Sequence, residues 1–261
     1  MQQSIYNLRE LPGCGIKLWN LKTGWRTGIM NNKSDWTQGL SSFLKVHRVH
    51  YLLMYFLLLY TAWAMHRIIL APMIYKEYAG LPGILLNGLI KVFIWAVPVF
   101  MYIIYIDGNK PNTYLKLNNR ILMGIVWGLV ISIALIGINL IKMFVYGKNA
   151  LNLNASMDNL VNVVLITCLT EEIVFRGFLL KKIEEFIEFW GANIIVAILF
   201  VTIHFPIWIA NEGGITITKV IPVMALGILF GYAYKKTDSL WTSIIIHGAN
   251  NFMVAVMGIN F

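Results

Sequence analysis

Residues 161–180 read VNVVLITCLTEEIVFRGFLL, an apolar run interrupted by Glu171, Glu172 and Arg176. A membrane-spanning helix needs about 20 predominantly apolar residues, so the run has the length of a span. Each charge at the centre of such a helix costs about 2.5–3.5 kcal/mol on the insertion scale. Three of them cancel much of the apolar gain unless they pair or meet water. Ionisable groups placed inside a membrane mark functional sites by default.

The rest of the chain places this run in a membrane protein. Of 261 residues, 58% are hydrophobic and 13% charged, with a mean hydropathy of +0.69. A soluble domain is about half apolar and about one quarter charged. Seven candidate spans follow, at 50–66, 84–106, 120–141, 158–180, 191–210, 217–234 and 240–257. The expected fold is all-α, a polytopic transmembrane helix bundle of about seven spans. The expected divisions are a cytoplasmic N-terminal tail (1–49), N-terminal transmembrane helices (50–157) and a C-terminal helical core (158–257), to which the resemblance described below adds the expectation of a four-helix catalytic core. The first apolar run begins near Tyr51, too far along for a signal peptide, and the tail before it reads as loosely ordered.

The net charge of +9 sorts by side of the membrane. With the N-terminus inside, fourteen Lys and Arg fall in cytoplasmic segments and five on the opposite side, while Lys91 and Arg176 lie within spans. This fits the positive-inside rule and places the N-terminus in the cytoplasm. No basic stripe with aromatic platforms forms, so nucleic acid is not an expected partner. The two cysteines, Cys14 and Cys168, fall in the tail and in the fourth span, an arrangement that argues against a disulfide.

Spans one to three carry few polar groups. Lys91 lies seven residues into the second span and is read as snorkelling or facing a neighbouring helix. Gly124–Gly128 and Gly227–Gly231 match GxxxG, a pattern that permits close helix approach. Spans four to seven hold Glu171, Glu172, Arg176, His204, His247, Asn250 and Asn251.

Helical geometry separates the two acids. At about 100° per residue, Glu172 and Arg176 share one face, whereas Glu171 points about 140° from Arg176. Acid before base at this spacing is the favourable pairing order. If Arg176 neutralises Glu172, Glu171 is the carboxylate left for chemistry. A simpler reading, a salt-bridge staple, needs only Glu172 and Arg176 and leaves Glu171 without a purpose. His204, His247 and Asn251 fall at comparable depths in their own spans. The set supplies a base (Glu171), a histidine to orient water (His204) and two donors for a developing oxyanion (His247, Asn251), the parts needed for water attack on an amide. Alternatively, His204, His247 and Glu171 form a ligand set for one zinc with an open position for water. No HExxH, GxSxG or phosphate loop is present.

Three phrases then carry a resemblance: Glu171-Glu172-Ile-Val-Phe-Arg176-Gly177, Phe200-Val-Thr-Ile-His204 and His247-Gly-Ala-Asn-Asn251, with Thr237-Asp-Ser-Leu-Trp241 leading into the last. Over roughly 158–255 the chain resembles the CPBP family, which unites CAAX prenyl endopeptidases, bacteriocin-processing proteins and their Abi relatives. The resemblance implies an intramembrane endopeptidase with a core of four catalytic helices. It implies Glu171 as base supported by Glu172 and Arg176, His204 assisting the water, and His247 with Asn251 on the oxyanion. It favours a glutamate-activated water without a metal cofactor, with zinc as the alternative. The implied partners are the lipid bilayer and a peptide or membrane-protein substrate. The abundance of Ile, Asn and Lys points to a bacterial cell membrane. Two other classes stand beside this reading. One is a non-catalytic membrane immunity or scaffold protein. The other is a proton-coupled transporter, disfavoured because the polar groups do not recur in both halves of the chain.

Overall fold

The computed structural model describes residues 50–145 and 156–257, all helices and connecting turns. The tail 1–49, with Cys14, lies outside the described residues. The chain divides into two units, Met1–Met54 and Tyr55–Phe261. Of the first, only residues 50–54 are described, and they begin a helix.

The helices are α1 (His50–Glu77), α2 (Leu81–Ile106), the short α3 (Pro111–Tyr114) and α4 (Ile121–Val145). After the undescribed segment come α5 (157–184), α6 (Phe189–Thr202), α7 (Phe205–Asn211), α8 (Ile217–Thr237) and α9 (Leu240–Met257). Helix starts follow local chemistry. Gly80, at φ 69°, turns the chain into α2, and Pro82, Pro111 and Pro206 sit in first turns where a missing N–H costs nothing.

The seven sequence-predicted spans fall on helices, the fifth interrupted by the turn at 203–204. Among the described residues, five segments are long and apolar enough to cross a membrane: α1, α2, 121–141 of α4, the α6–α7 run Phe189–Ala210, and α8. The last predicted span has a shorter apolar stretch, Leu240–Val256. The fourth, in α5, falls short because Glu171, Glu172 and Arg176 interrupt its apolar length. The helix that carries the charges is thus poorly suited to face lipid along its length, and it packs on α2, α6, α8 and α9.

Polarity is distributed accordingly. Outward side chains on α1 and α4 are apolar, among them Leu57, Leu58, Leu122, Ile133 and Ile141, whereas Lys91, Asn162, Glu171, Glu172 and Arg176 are buried. Helix α5 packs on α2, α6 and α9, and α9 also lies along α4. Residues 159–167 and 173–180 of α5 wind as wide π-type turns around an α-helical segment, Cys168–Glu172. Such turns are rare and concentrate at functional sites.

Both GxxxG pairs sit at helix contacts. A Cβ on Gly128 would lie 2.9 Å from Ile245 Cβ, and one on Gly231 only 1.9 Å from Asn193 Oδ1. They bring α4 onto α9 and α8 onto α6. The Gly177 of the FRG phrase leaves room for Leu115, whose Cδ2 would be 2.7 Å from an added Cβ.

A polar corner fixes the α8–α9 turn. Asp238 takes a left-handed φ of 57° and ends α8, and its carboxylate accepts from Lys116 and from Asn119 Nδ2 at 2.6 Å. Trp241 Nε1 donates to Leu117 O at 2.7 Å. This corner is the structural work of the Thr237–Trp241 phrase.

Candidate active site

The α-helical segment of α5 presents both acids to the interior. Glu172 and Arg176 are 0% exposed, and Glu171 and His247 are each 4% exposed. Arg176 Nη1 donates to Glu172 Oε1 at 2.8 Å, the i,i+4 pair expected from the spacing. Its Nη2 donates to Gly227 O of α8 at 2.9 Å. Its guanidinium also lies over the rings of Phe200 (4.5 Å) and Phe230 (5.1 Å). The arginine is therefore committed on several sides, and Glu172 is its carboxylate.

His247 of α9 stands against both acids. Its Nδ1 lies 2.9 Å from Glu172 Oε1, and its Nε2 lies 3.9 Å from Glu171 Oε2. An ionised carboxylate only accepts, so Nδ1 carries the hydrogen of the first contact and Nε2 is the nitrogen turned to Glu171. The second separation is too long for a direct hydrogen bond, whose donor–acceptor distance is about 2.7–3.2 Å. Phe230 stacks on the imidazole at 5.1 Å and Phe200 meets it edge-on at 5.6 Å.

His204 occupies the turn between α6 and α7. Its Nδ1 lies 2.9 Å from Phe200 O. A carbonyl only accepts, so Nδ1 carries the hydrogen and Nε2 of the neutral ring is an acceptor. The Phe200 ring lies 5.3 Å from His204 and 5.6 Å from His247, so this phenylalanine adjoins both imidazoles. It continues an aromatic series through Phe175 to Trp95 and Trp63. Trp63 Nε1 donates to Ile203 O at 3.2 Å, tying α1 to the turn that holds His204.

Asn251, one turn beyond His247, donates from Nδ2 to Val163 O of α5 at 3.1 Å. The amide has two N–H groups, so this contact docks α9 on α5 and leaves a second donor. The structure thus brings Glu171, Glu172, Arg176 and His247 into one buried cluster. His204 joins it through Phe200, and Asn251 through the backbone of α5. Of the three residues read from sequence as an alternative zinc set (His204, His247, Glu171), His247 and Glu171 lie 3.9 Å apart, and among the described residues no group of three or more His, Cys, Asp or Glu is arranged as metal ligands.

One neighbour of the site was not singled out by motif. Lys91 of α2 is 3% exposed and faces α5 rather than snorkelling, with Nζ donating to Asn162 O at 3.2 Å and to Thr167 Oγ1 at 3.1 Å. The only sequence signal was a lysine inside an apolar span.

Residues 154–253 match a family model described as Rce1-like, type II CAAX prenyl endopeptidase Rce1-like. The match covers all six motif residues and bears out the CPBP resemblance over α5 to α9. Residues 1–153, with α1 to α4, lie outside it. No curated protein and no solved structure matches the chain.

Proposed function

We propose, from a segment that carries the core of a CAAX-type endopeptidase family, that this chain hydrolyses a peptide bond within the membrane by a glutamate-activated water. The observation that carries the reading is the position of His247, at 2.9 Å from Glu172 and 3.9 Å from Glu171. Glu172 is bound by Arg176 and by His247 Nδ1, so it is a support. Glu171 has no guanidinium hydrogen bond and faces the free nitrogen of the imidazole. A gap of 3.9 Å is one that a single water, hydrogen-bonded at about 2.8 Å to each atom, can bridge.

The steps follow from these groups. Glu171 takes a proton from the water while its oxygen adds to the scissile carbonyl carbon. The Nε2–H of protonated His247 and the second N–H of Asn251 meet the oxyanion that forms. His204 Nε2 accepts from the attacking water and orients it. The proton held by Glu171 passes to the departing amine nitrogen as the C–N bond breaks, and the free acid leaves with the water oxygen. No step is assigned to a metal.

The substrate is a membrane-associated protein or peptide. The matched family is described by its action on CAAX prenyl proteins, which makes a prenylated peptide the first probe. The basic ends of the helices support the proposed orientation, with the N-terminus in the cytoplasm of a bacterial cell. Lys182 pairs with Asp107 at 2.8 Å and Lys235 with Glu184 at 2.5 Å, at the same end as Lys116 and Lys181.

The test uses purified protein in lipid nanodiscs with two probes, a farnesylated peptide ending in a CAAX sequence and an unmodified transmembrane peptide. Cleavage of either is expected to fall by at least about 100-fold in Glu171→Gln and in His204→Ala, with insertion and melting behaviour retained. A chelator is expected to leave the rate unchanged. Full processing by Glu171→Gln would refute the reading and favour a non-catalytic scaffold. Loss of activity on chelation, with zinc bound to the protein, would replace the glutamate mechanism by a metal one.

A further inference from the structure

Two acids and one arginine of the motif, Glu171, Glu172 and Arg176, are buried together. Arg176 is bonded to Glu172, as is Nδ1 of His247. A buried carboxylate is costly without cations around it; an imidazolium at His247, whose Nε2 lies 3.9 Å from Glu171, offsets part of that cost, and a second cation beside the acid lowers the remainder.

Lys91 is placed to meet it. Thr167, which accepts from Lys91 Nζ, is four residues before Glu171 on the same helix. Residues so spaced lie on about the same face, separated by about 6 Å of rise. Thr167 Oγ1 also donates to Asn162 O at 2.5 Å, the carbonyl on which Lys91 rests. The ammonium is thereby clamped to the wide turns just ahead of the acid pair.

The groups acting on Lys91 come from each element packed around it. Arg67 and His66 approach from α1, and Glu171 and Asp158 from α5. Asp158 already accepts from Tyr75 and from Asn162 Nδ2, the latter at 2.5 Å, and Asn87 Nδ2 donates to the Tyr75 hydroxyl at 2.7 Å. The donors of that outer network are directed to Asp158. Of the two acids acting on the lysine, Asp158 is the one these donors bind, while Glu171 has His247 Nε2 at 3.9 Å.

We propose that Lys91, outside the matched segment, is a positioning residue for Glu171: anchored on Asn162 O and Thr167, it adds a second cation to that of His247 and holds that part of α5 against His247. The proposal rests on the reading of Glu171 as the working carboxylate, and its test needs no substrate. A double-mutant cycle on the full chain in detergent compares wild type, Lys91→Met, Glu171→Gln and the double variant by thermal unfolding. If the lysine balances the glutamate, Lys91→Met lowers the midpoint by about 5 °C when Glu171 is present and by less than about 2 °C in the Glu171→Gln background. A lysine that merely ties α2 to α5 gives equal losses in both backgrounds, which overturns the proposal. If Lys91→Met does not accumulate, Lys91→Gln, which keeps an amide donor for Asn162 O but no charge, enters the same cycle with the same two outcomes. Retained peptide cleavage by Glu171→Gln would defeat the peptidase reading without altering the cycle, so the two failures are distinct.

Discussion

Arg176→Met is the perturbation that separates support from chemistry in this cluster. The side chain is 0% exposed and so is its partner Glu172. Methionine keeps much of the apolar stem but removes the 2.8 Å ion pair, the 2.9 Å bond to Gly227 O and the contacts with Phe200 and Phe230. Breaking a buried pair from one side costs about 3–5 kcal/mol, because the remaining charge is left uncompensated. His247 Nδ1 still donates to Glu172 at 2.9 Å, which holds the estimate to about 4 kcal/mol. For a unit of this size that is a fall of about 8–16 °C in the unfolding midpoint. Adding Glu172→Gln removes the stranded charge while keeping an acceptor for His247. The double variant is therefore expected to recover about half of the loss. Glu171→Gln, by contrast, leaves the Arg176–Glu172 pair intact and is expected to lower the midpoint by no more than about 5 °C, the scale of its coupling to Lys91. The assay is intrinsic-fluorescence unfolding in detergent at one protein concentration. A single-variant loss below about 3 °C, or a double variant no better than the single, would refute the assignment of Arg176 to Glu172.

Two further outcomes test the frame around the site. Gly231→Ala forces a methyl within 1.9 Å of Asn193 Oδ1, whose amide is buried and donates to Ile228 O at 3.0 Å, so the unfolding midpoint should fall by about 4–8 °C, equivalent to overpacking by about 2 kcal/mol. Gly137→Ala, with nothing within 4 Å of the added Cβ, should be neutral or stabilising in the same measurement. Asp238, in the turn outside the spans, is held below its ordinary value of 3.8, first by the hydrogen bond from Lys116 and further by Asn119. A depressed carboxyl contributes stability that is full above 3.8 and is lost as pH falls through the lower folded value. Amide-exchange protection of residues 115–120 should therefore weaken in strongly acidic buffer, and Asp238→Asn, which still tolerates the left-handed φ of 57°, should lower it already at neutral pH and flatten the response.

Much of this was legible in the sequence because membrane burial makes charge informative. An acid inside an apolar run is conspicuous, and the i,i+4 spacing of Glu172 and Arg176 predicts the pair at 2.8 Å. The GxxxG pairs likewise predict close helix contacts, since only a missing Cβ admits Ile245 or Asn193 at such distances. What was not legible has a common cause. Hydropathy does not register the width of a helical turn, so the wide turns of α5 leave no trace in composition. Nor does it show which nitrogen of His247 meets which acid, because that depends on how α9 is set by Asn251 on Val163 O.

Lys91 is the sharper case. Its partners are a backbone carbonyl and a threonine hydroxyl, groups with no signature of their own, on a helix about 70 residues away in sequence. A motif search restricted to α5, α6 and α9 accounts for the acids and imidazoles but passes over a cation carried by another helix. Charge balance is a property of the packed cluster and can be adjusted by any helix that reaches it. A lysine on α2 does so here, and the five helices of the matched segment are an incomplete description of the site if the Lys91–Glu171 cycle shows coupling.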